Sequence, residues 1–191
     1  MLEGRLTRLE PLSLDHLDGL CEVGLDPVIW RWMPLPMNSR SDVQAFIEAT
    51  LAAQAAGREQ PFATIDRAAG RVVGSTRYLN IEPPHRRLEI GYTWLAPAWQ
   101  RTAINSEAKL LMLEHAFEQL GANRVEFKTN AFNEPSRMAL QGIGATFEGI
   151  FRRHMIVGHG VLRDSAYYSI IVDEWPAVRG HLVQRVERLS G

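Results

Sequence analysis

The sequence predicts an α/β fold in which helices flank a mixed, mostly antiparallel central sheet. Two patterns support this. Residues 87–95 alternate apolar and polar side chains, as in a strand with one buried face. Residues 105–120 are apolar on nearly every side, which is typical of a helix buried on more than one face. Hairpins in the middle of the chain and helical crossovers later on imply a sheet with both antiparallel and parallel neighbours.

The first third of the chain is predicted to contain one short strand and two helices. The strand is expected at residues 5–9, and Ser13 is a suitable N-cap for the helix that follows. Three prolines keep residues 26–40 irregular. Ser41 is then expected to cap a second helix, which ends at Gly57.

The remaining elements follow from alternation in strands, helical spacing in helices, and Gly or Pro at the breaks. They are strands at 61–66, 71–79, 87–95, 124–129, 145–153 and 165–172, and helices at 105–120, 133–141 and 175–189. The predicted order is therefore β-α-α-β-β-β-α-β-α-β-β-α.

Composition limits the classes of function. The 191 residues have the length of one domain, and we expect a single domain over 1–191. Lys and Arg number 21 against 22 Asp and Glu, a net charge of −1, which argues against direct binding of nucleic acid. One cysteine, Cys21, allows no internal disulfide. No secretory signal or membrane span is visible, so we expect a cytoplasmic protein with no membrane partner.

Three stretches resemble the GNAT N-acetyltransferase superfamily, and within it the Rim-type branch of ribosomal-protein N-terminal acetyltransferases. They are Glu89 to Pro97 (EIGYTWLAP), Ser106-Glu107-Ala108, and the series Asn130, Asn133, Ser136 and Gly144. The resemblance implies a sheet splayed at a cofactor cleft, acetyl-CoA as donor and co-substrate, and an amine as acceptor. The histidines are scattered and no H-E-x-x-H or C-x-x-C occurs, so we expect no metal.

The family's cofactor loop, Q/R-x-x-G-x-G/A, corresponds to Gln100, Arg101, Thr102, Ala103, Ile104 and Asn105. The resemblance implies that this loop binds the pyrophosphate at a helix N-terminus. Ala103 and Asn105 replace the small residues of the pattern. Ala103 suits the loop if its φ is negative, and Asn105 is expected to cap the helix or to bond a phosphate.

Three further cofactor contacts follow from the resemblance and the predicted positions. Backbone N–H near Leu95 would polarise the thioester carbonyl and pair with pantetheine. Asn133 would contact pantetheine or pyrophosphate, although capping its own helix explains it equally well. Arg137 and Arg101 are the two arginines expected near a CoA phosphate.

Two residues are candidates for proton transfer. Alternation places Glu89 opposite Leu88 and Ile90, where its carboxylate could accept the amine proton. The alternative is a solvent-facing glutamate paired with an arginine. Ser136 is the candidate acid for the leaving thiolate; bracing a short helix, or proton donation by Tyr167 or Tyr168, are alternatives.

The proline-rich segment supplies the acceptor candidates Trp30, Trp32 and Met33, an apolar wall for a peptide or a small amine. Ordinary capping of the core explains them as well. The resemblance favours acetyl transfer to a primary amine, above all a protein or peptide N-terminus, by direct attack in a ternary complex. The alternative is an acyl-CoA-binding sensor or interaction module with lost catalysis. A homodimer is a reasonable expectation.

Overall fold

The computed structural model describes residues 1–34 and 36–191, except for the side chain of residue 159. Its strands are β1 Leu2–Glu3, β2 Thr7–Pro11, β3 Gln60–Asp66, β4 Arg71–Glu82, β5 Arg87–Leu95, β6 Arg124–Asn130, β7 Thr146–Val157 and β8 Val161–Ile171. Its α-helices are α1 Leu17–Gly24, α2 Pro27–Trp30, α3 Arg40–Ala55, α4 Ala103–Glu114, α5 Glu134–Gly142 and α6 Trp175–Ser190.

The eight strands form one open sheet in the order β1-β2-β3-β4-β5-β6-β8-β7. All neighbours are antiparallel except β5 and β6, which run parallel. That pairing joins only Arg87–Glu89 to Arg124–Glu126, whereas β6 pairs with β8 along its whole length. The sheet therefore divides after Glu89, and the predicted mixed, splayed fold is confirmed.

A β-bulge in β5 changes the face that its side chains present. Arg77 of β4 lies opposite Gly91 and Ser75 lies opposite Trp94, so β5 has one residue more than β4 in this interval. Tyr92 takes the extra position with φ of +48°. The regular alternation predicted for 87–95 is thus wrong beyond Gly91: an inserted residue reverses the faces of all those that follow.

Each face of the sheet has its own core. Leu88 and Ile90 pack with Met112 and Leu113 of α4 and with Leu182 of α6. On the opposite face, α1 and α3 cover a second cluster, which includes Trp94. The bulge allows one strand to fill both cores.

The helix starts show which polar side chains act as caps. Ser13 caps the short turn before α1 in a capping box with His16, as predicted. Ser39, and not Ser41, is the N-cap of α3: its hydroxyl accepts from the Asp42 N–H at 3.2 Å. The predicted cap at Ser41 is therefore wrong by two residues, because Ser39 and Ser41 have the same capping propensity and only Arg40 separates them.

Candidate active site at the division of the sheet

Glu89 is the last residue of β5 that pairs with β6, and it marks the point where the two strands separate. Its side chain is almost fully buried, with 2% of its surface exposed. The carboxylate Oε2 accepts hydrogen bonds from Asn80 Nδ2 at 2.8 Å and from Lys128 Nζ at 3.1 Å. The alternative of a solvent-facing glutamate paired with an arginine is therefore wrong.

The pKa of Glu89 is raised because burial penalises the charged carboxylate. The ion pair with Lys128 and the hydrogen bond from Asn80 act in the opposite direction and lower it. Asn80 itself lies at φ +48°, a left-handed conformation that asparagine tolerates, where the β4–β5 register shifts. A carboxylate whose pKa is raised and whose position is fixed by two donors is a candidate proton acceptor.

Tyr167 and Tyr168 point to opposite faces of β8. Tyr168 is fully buried in the core, where its hydroxyl accepts from Arg137 Nε at 3.1 Å. Tyr167 lies in register with Lys128 of β6, whose Nζ is 6.0 Å from the centre of the tyrosine ring. Only Tyr167 therefore shares the sheet face of the Glu89 carboxylate.

The loop before α4 has a different geometry from the one predicted. Thr102 is the N-cap, and its hydroxyl accepts from the Ile104 N–H at 3.4 Å. Ala103 is thus the first helical residue, and Asn105 lies inside the helix. The prediction that Asn105 caps the helix is wrong, because the helix begins three positions earlier, where Thr102 also has a side chain that can cap.

The left-handed position of this loop belongs to Arg101, whose φ is +63°. Gln100 ties the loop to the end of β5 by donating from Nε2 to the Leu95 carbonyl at 2.9 Å. The Oδ1 atom of Asn105 is buried without a hydrogen-bond partner among the described residues. A buried acceptor without a partner is unusual in a folded protein.

The fold offers two features that fit a long, amide-containing cofactor with phosphates. Beyond Glu89 the backbone of β5 has no strand partner on its β6 side. At the start of α4 the first N–H groups have no intrahelical acceptors and favour an anion. Leu95 is the last residue of β5, and residues 100–105 span the loop and the first turn of α4. Their contact with a cofactor stays a prediction.

Helix α5 follows the other arm of the division, β6. Asn133 Oδ1 accepts from the Ser136 N–H at 3.2 Å, so Asn133 is the N-cap of this helix. Ser136 is half-buried. Arg137 uses Nε for Tyr168 and donates from Nη1 to the Ala131 carbonyl at 3.1 Å. These internal hydrogen bonds use the side-chain oxygen of Asn133 and two of the three guanidinium nitrogens of Arg137. The cofactor roles of both residues stay predictions.

The predicted acceptor residues divide into two groups. Trp30 is buried and packs on Trp94, with ring centres 5.2 Å apart, while its Nε1 donates to the Gly24 carbonyl. Trp30 is therefore a core residue, because its ring packs against Trp94 and its N–H is used in an internal hydrogen bond. Trp32 and Met33 are half-exposed and remain candidates for the acceptor wall.

The sequence reasoning missed a buried lysine beside β5. Lys109 of α4 is 4% exposed, and its Nζ donates to Thr93 Oγ1 at 2.9 Å. Burial lowers the pKa of this amine to about 7. No carboxylate within the described ranges pairs with it. The sequence does contain an indication of this burial: Lys109 lies on an otherwise apolar helix face in a chain that has only two lysines.

We expect Lys109→Met to raise the free energy of unfolding by about 1–4 kcal/mol at pH 6, since it removes a buried charge without an acidic partner. In the wild type the folded-state pKa lies below that of the unfolded chain. The unfolded state therefore binds more protons between about pH 7 and 10, and wild-type stability rises over that window. Urea unfolding of both proteins at pH 6 and pH 9 should show the difference shrink. The same difference in unfolding free energy at both pH values would contradict the prediction.

Within the described chain, no helix is long and apolar enough to cross a membrane. No three His, Cys, Asp or Glu side chains among the described residues are grouped to hold a metal ion.

The chain is similar to acetyltransferases. The sequence profile of the Acetyltransferase (GNAT) domain matches residues 5–146. A solved GCN5-related N-acetyltransferase from Brucella melitensis superposes with a TM-score of 0.91 at 32% identity, covering 97% of this chain and 84% of that one.

Two Bacillus proteins are similar in sequence. The uncharacterized N-acetyltransferase p20 of Bacillus licheniformis is 27% identical over 172 residues, 90% of this chain and 95% of p20. YdaF of Bacillus subtilis, provisionally named a ribosomal N-acetyltransferase, is 34% identical over 106 residues, 56% of this chain and 57% of YdaF. Because the family profile spans most of the chain and the fold agrees throughout, the chain belongs to the GNAT family of N-acetyltransferases.

Proposed function

We propose that the chain transfers an acetyl group from acetyl-CoA to a primary amine, foremost a protein or peptide N-terminus. Transfer proceeds by direct attack of the amine while both substrates are bound. The observation that best supports this is the buried Glu89 carboxylate, fixed by Asn80 and Lys128 where β5 and β6 separate. A base at that position meets an amine directed at the opening between the strands.

Leu95, residues 100–105, Asn133 and Arg137 would hold the acetyl-CoA. When bound there, it supplies an acetyl group activated as a thioester. The chain's own residues then have two tasks. Glu89 removes a proton from the incoming ammonium, and the Ser136 hydroxyl donates a hydrogen bond to the leaving sulfur. An N-terminal amine has an ordinary pKa of about 7.7–8.0, so a carboxylate base of raised pKa suffices.

A CoA-release assay over small amines and N-terminal peptides tests the proposal. Release with at least one peptide would support it, and YdaF's name makes ribosomal N-terminal peptides the first choice. A rise in Tm with acetyl-CoA but no release with any amine would instead favour a binding module without catalysis.

Two substitutions distinguish whether Ser136 or Tyr167 is the proton donor. We expect Ser136→Ala to lower kcat by about 10²-fold at saturating acetyl-CoA, because the thiolate leaves without a donor. Tyr167→Phe should change kcat only a few-fold, since the Tyr167 hydroxyl is already within 3.3 Å of His154 Nε2. Steady-state CoA release measures both. A large loss in Tyr167→Phe with an unaffected Ser136→Ala would assign the acid role to Tyr167.

A further inference from the structure

Arg163 of β8 is a buried cation with no partner of its own. Its side chain is 8% exposed, and its Nε is enclosed without an acceptor among the described residues. No carboxylate in the described part of the chain forms an ion pair with its guanidinium. By contrast, the equally buried Arg77 has Glu59 at 2.6 Å. An unpaired buried guanidinium is costly and therefore unusual.

Arg163 lies on the face of the sheet that contains the proposed base. Alternation along β8 places it on the side of Tyr167, and Tyr167 is in register with Lys128, the partner of Glu89. Burial lowers the pKa of the guanidinium, while Tyr92, Glu89 and Tyr167 nearby raise it. Arg163 thus borders the same buried region as the Glu89 carboxylate.

Arg163 differs from the other cations near Glu89 in its contacts: Lys128, Arg87 and Arg124 each contact a carboxylate, and among the described residues Arg163 contacts none. Glu89 is engaged by Lys128, which leaves Arg163 as a second cation without a matching anion. Asp164, the next residue, faces away along the strand and accepts from the backbone N–H of Arg153 at 2.6 Å. Among the described residues the Arg163 guanidinium thus has no anion in contact, and a carboxylate from outside the protein would supply one.

We propose that Arg163 binds a carboxylate of the amine acceptor, so that the preferred acceptor has both a primary amine and a nearby carboxylate. The inference rests on the proposed acetyl transfer and narrows its substrate class. A guanidinium binds a carboxylate through two parallel hydrogen bonds, which orients as well as attracts. The carboxylate would anchor at Arg163 while the amine reaches Glu89.

Two pairs of acceptors, each differing in one charge, test the proposal. Ser-Asp-Phe amide against Ser-Asn-Phe amide places the carboxylate on a peptide side chain. The dipeptide Ser-Ala against its amide places it on a free C-terminus. We expect the wild type to favour the charged member of at least one pair by about 10–100-fold in kcat/KM. The pair that shows the preference identifies the source of the carboxylate.

Arg163→Gln should abolish this preference by raising KM for the charged acceptor alone, with KM for acetyl-CoA unchanged. Arg163→Lys should restore part of it. Arg152→Gln, at an exposed arginine of β7, removes the same charge and should leave the preference intact. Equal kcat/KM within both pairs in the wild type, or an equal loss on charged and neutral acceptors in Arg163→Gln, would overturn the proposal.

A binding measurement separates this proposal from acetyl transfer itself. Two acetylated products are titrated calorimetrically in the presence of CoA: N-acetyl-Ser-Asp-Phe amide and N-acetyl-Ser-Ala. At least one of them should bind the wild type at least 10-fold more tightly than it binds Arg163→Gln. That result without any CoA release would contradict only the catalytic proposal. Equal affinities for wild type and variant would contradict the carboxylate site. Arg163→Gln should keep or raise Tm, because the guanidinium has no internal partner to lose, and a large drop in Tm would also count against the proposal.

Discussion

Glu89→Gln is expected to lower kcat by about 10²–10⁴-fold while KM for acetyl-CoA changes little. The amide has nearly the shape of the carboxylate, so Asn80 and the backbone of β5 keep their places. It cannot accept a proton, however, and the usual contribution of a positioned base is of this size. Steady-state CoA release with a peptide acceptor measures the loss.

The pH dependence of kcat/KM should also report the ionisation of Glu89. Burial raises the pKa of Glu89, so its base form appears at a higher pH than that of an exposed glutamate. Wild-type kcat/KM should therefore rise with pH through an acidic limb that Glu89→Gln lacks. Activity is lost as pH falls, because protonation removes the base.

Glu126→Gln is the matched control for this experiment. Glu126 lies opposite Glu89 in the parallel register, and its carboxylate is bound by Arg87 and Arg124. Removing it should leave kcat within a few-fold of the wild type. If Glu126→Gln matched the loss of Glu89→Gln, or if Glu89→Gln kept the wild-type kcat/KM at every pH, Glu89 would not be the base.

Much of the fold was predictable because its signals are local. Strand β5 has the predicted bounds, since Pro and an apolar alternation mark both of its ends. The bulge at Tyr92 was not predictable in the same way. It depends on which residue of β4 lies opposite which residue of β5, and tyrosine has no local preference for positive φ.

The site was predictable where one residue type determines the chemistry and not where tertiary partners do. Alternation placed Glu89 on the face opposite Leu88 and Ile90, and the structure agrees, while its role as the base stays a prediction. The loop at 100–105 was located, but its left-handed residue is Arg101, which local propensity does not favour. Lys109 and Arg163 are unusual because they are buried cations, and their burial depends on tertiary packing that the sequence does not show directly.

Glu107→Ala is expected to lower the free energy of unfolding by about 3–5 kcal/mol. Glu107 lies on α4, is 5% exposed, and accepts from the backbone N–H groups of Arg5, Leu6 and Thr7 at 3.0, 2.8 and 2.6 Å. Its removal leaves three donors without acceptors at the start of β2. The carboxylate also fills the space where a Cβ on Gly4 would stand, so alanine opens a gap there.

Glu114→Gln provides the comparison on the same helix. Glu114 is a surface residue paired with Arg179 at 2.9 Å, and its loss should cost less than about 1 kcal/mol. Urea unfolding monitored by tryptophan fluorescence measures both variants. Hydrogen exchange should show faster opening of residues 5–7 in Glu107→Ala, because these N–H groups are held by the helix and not by a neighbouring strand. If Glu107→Ala were as mild as Glu114→Gln, the packing of β2 against α4, and not this carboxylate, would hold the N-terminal strand.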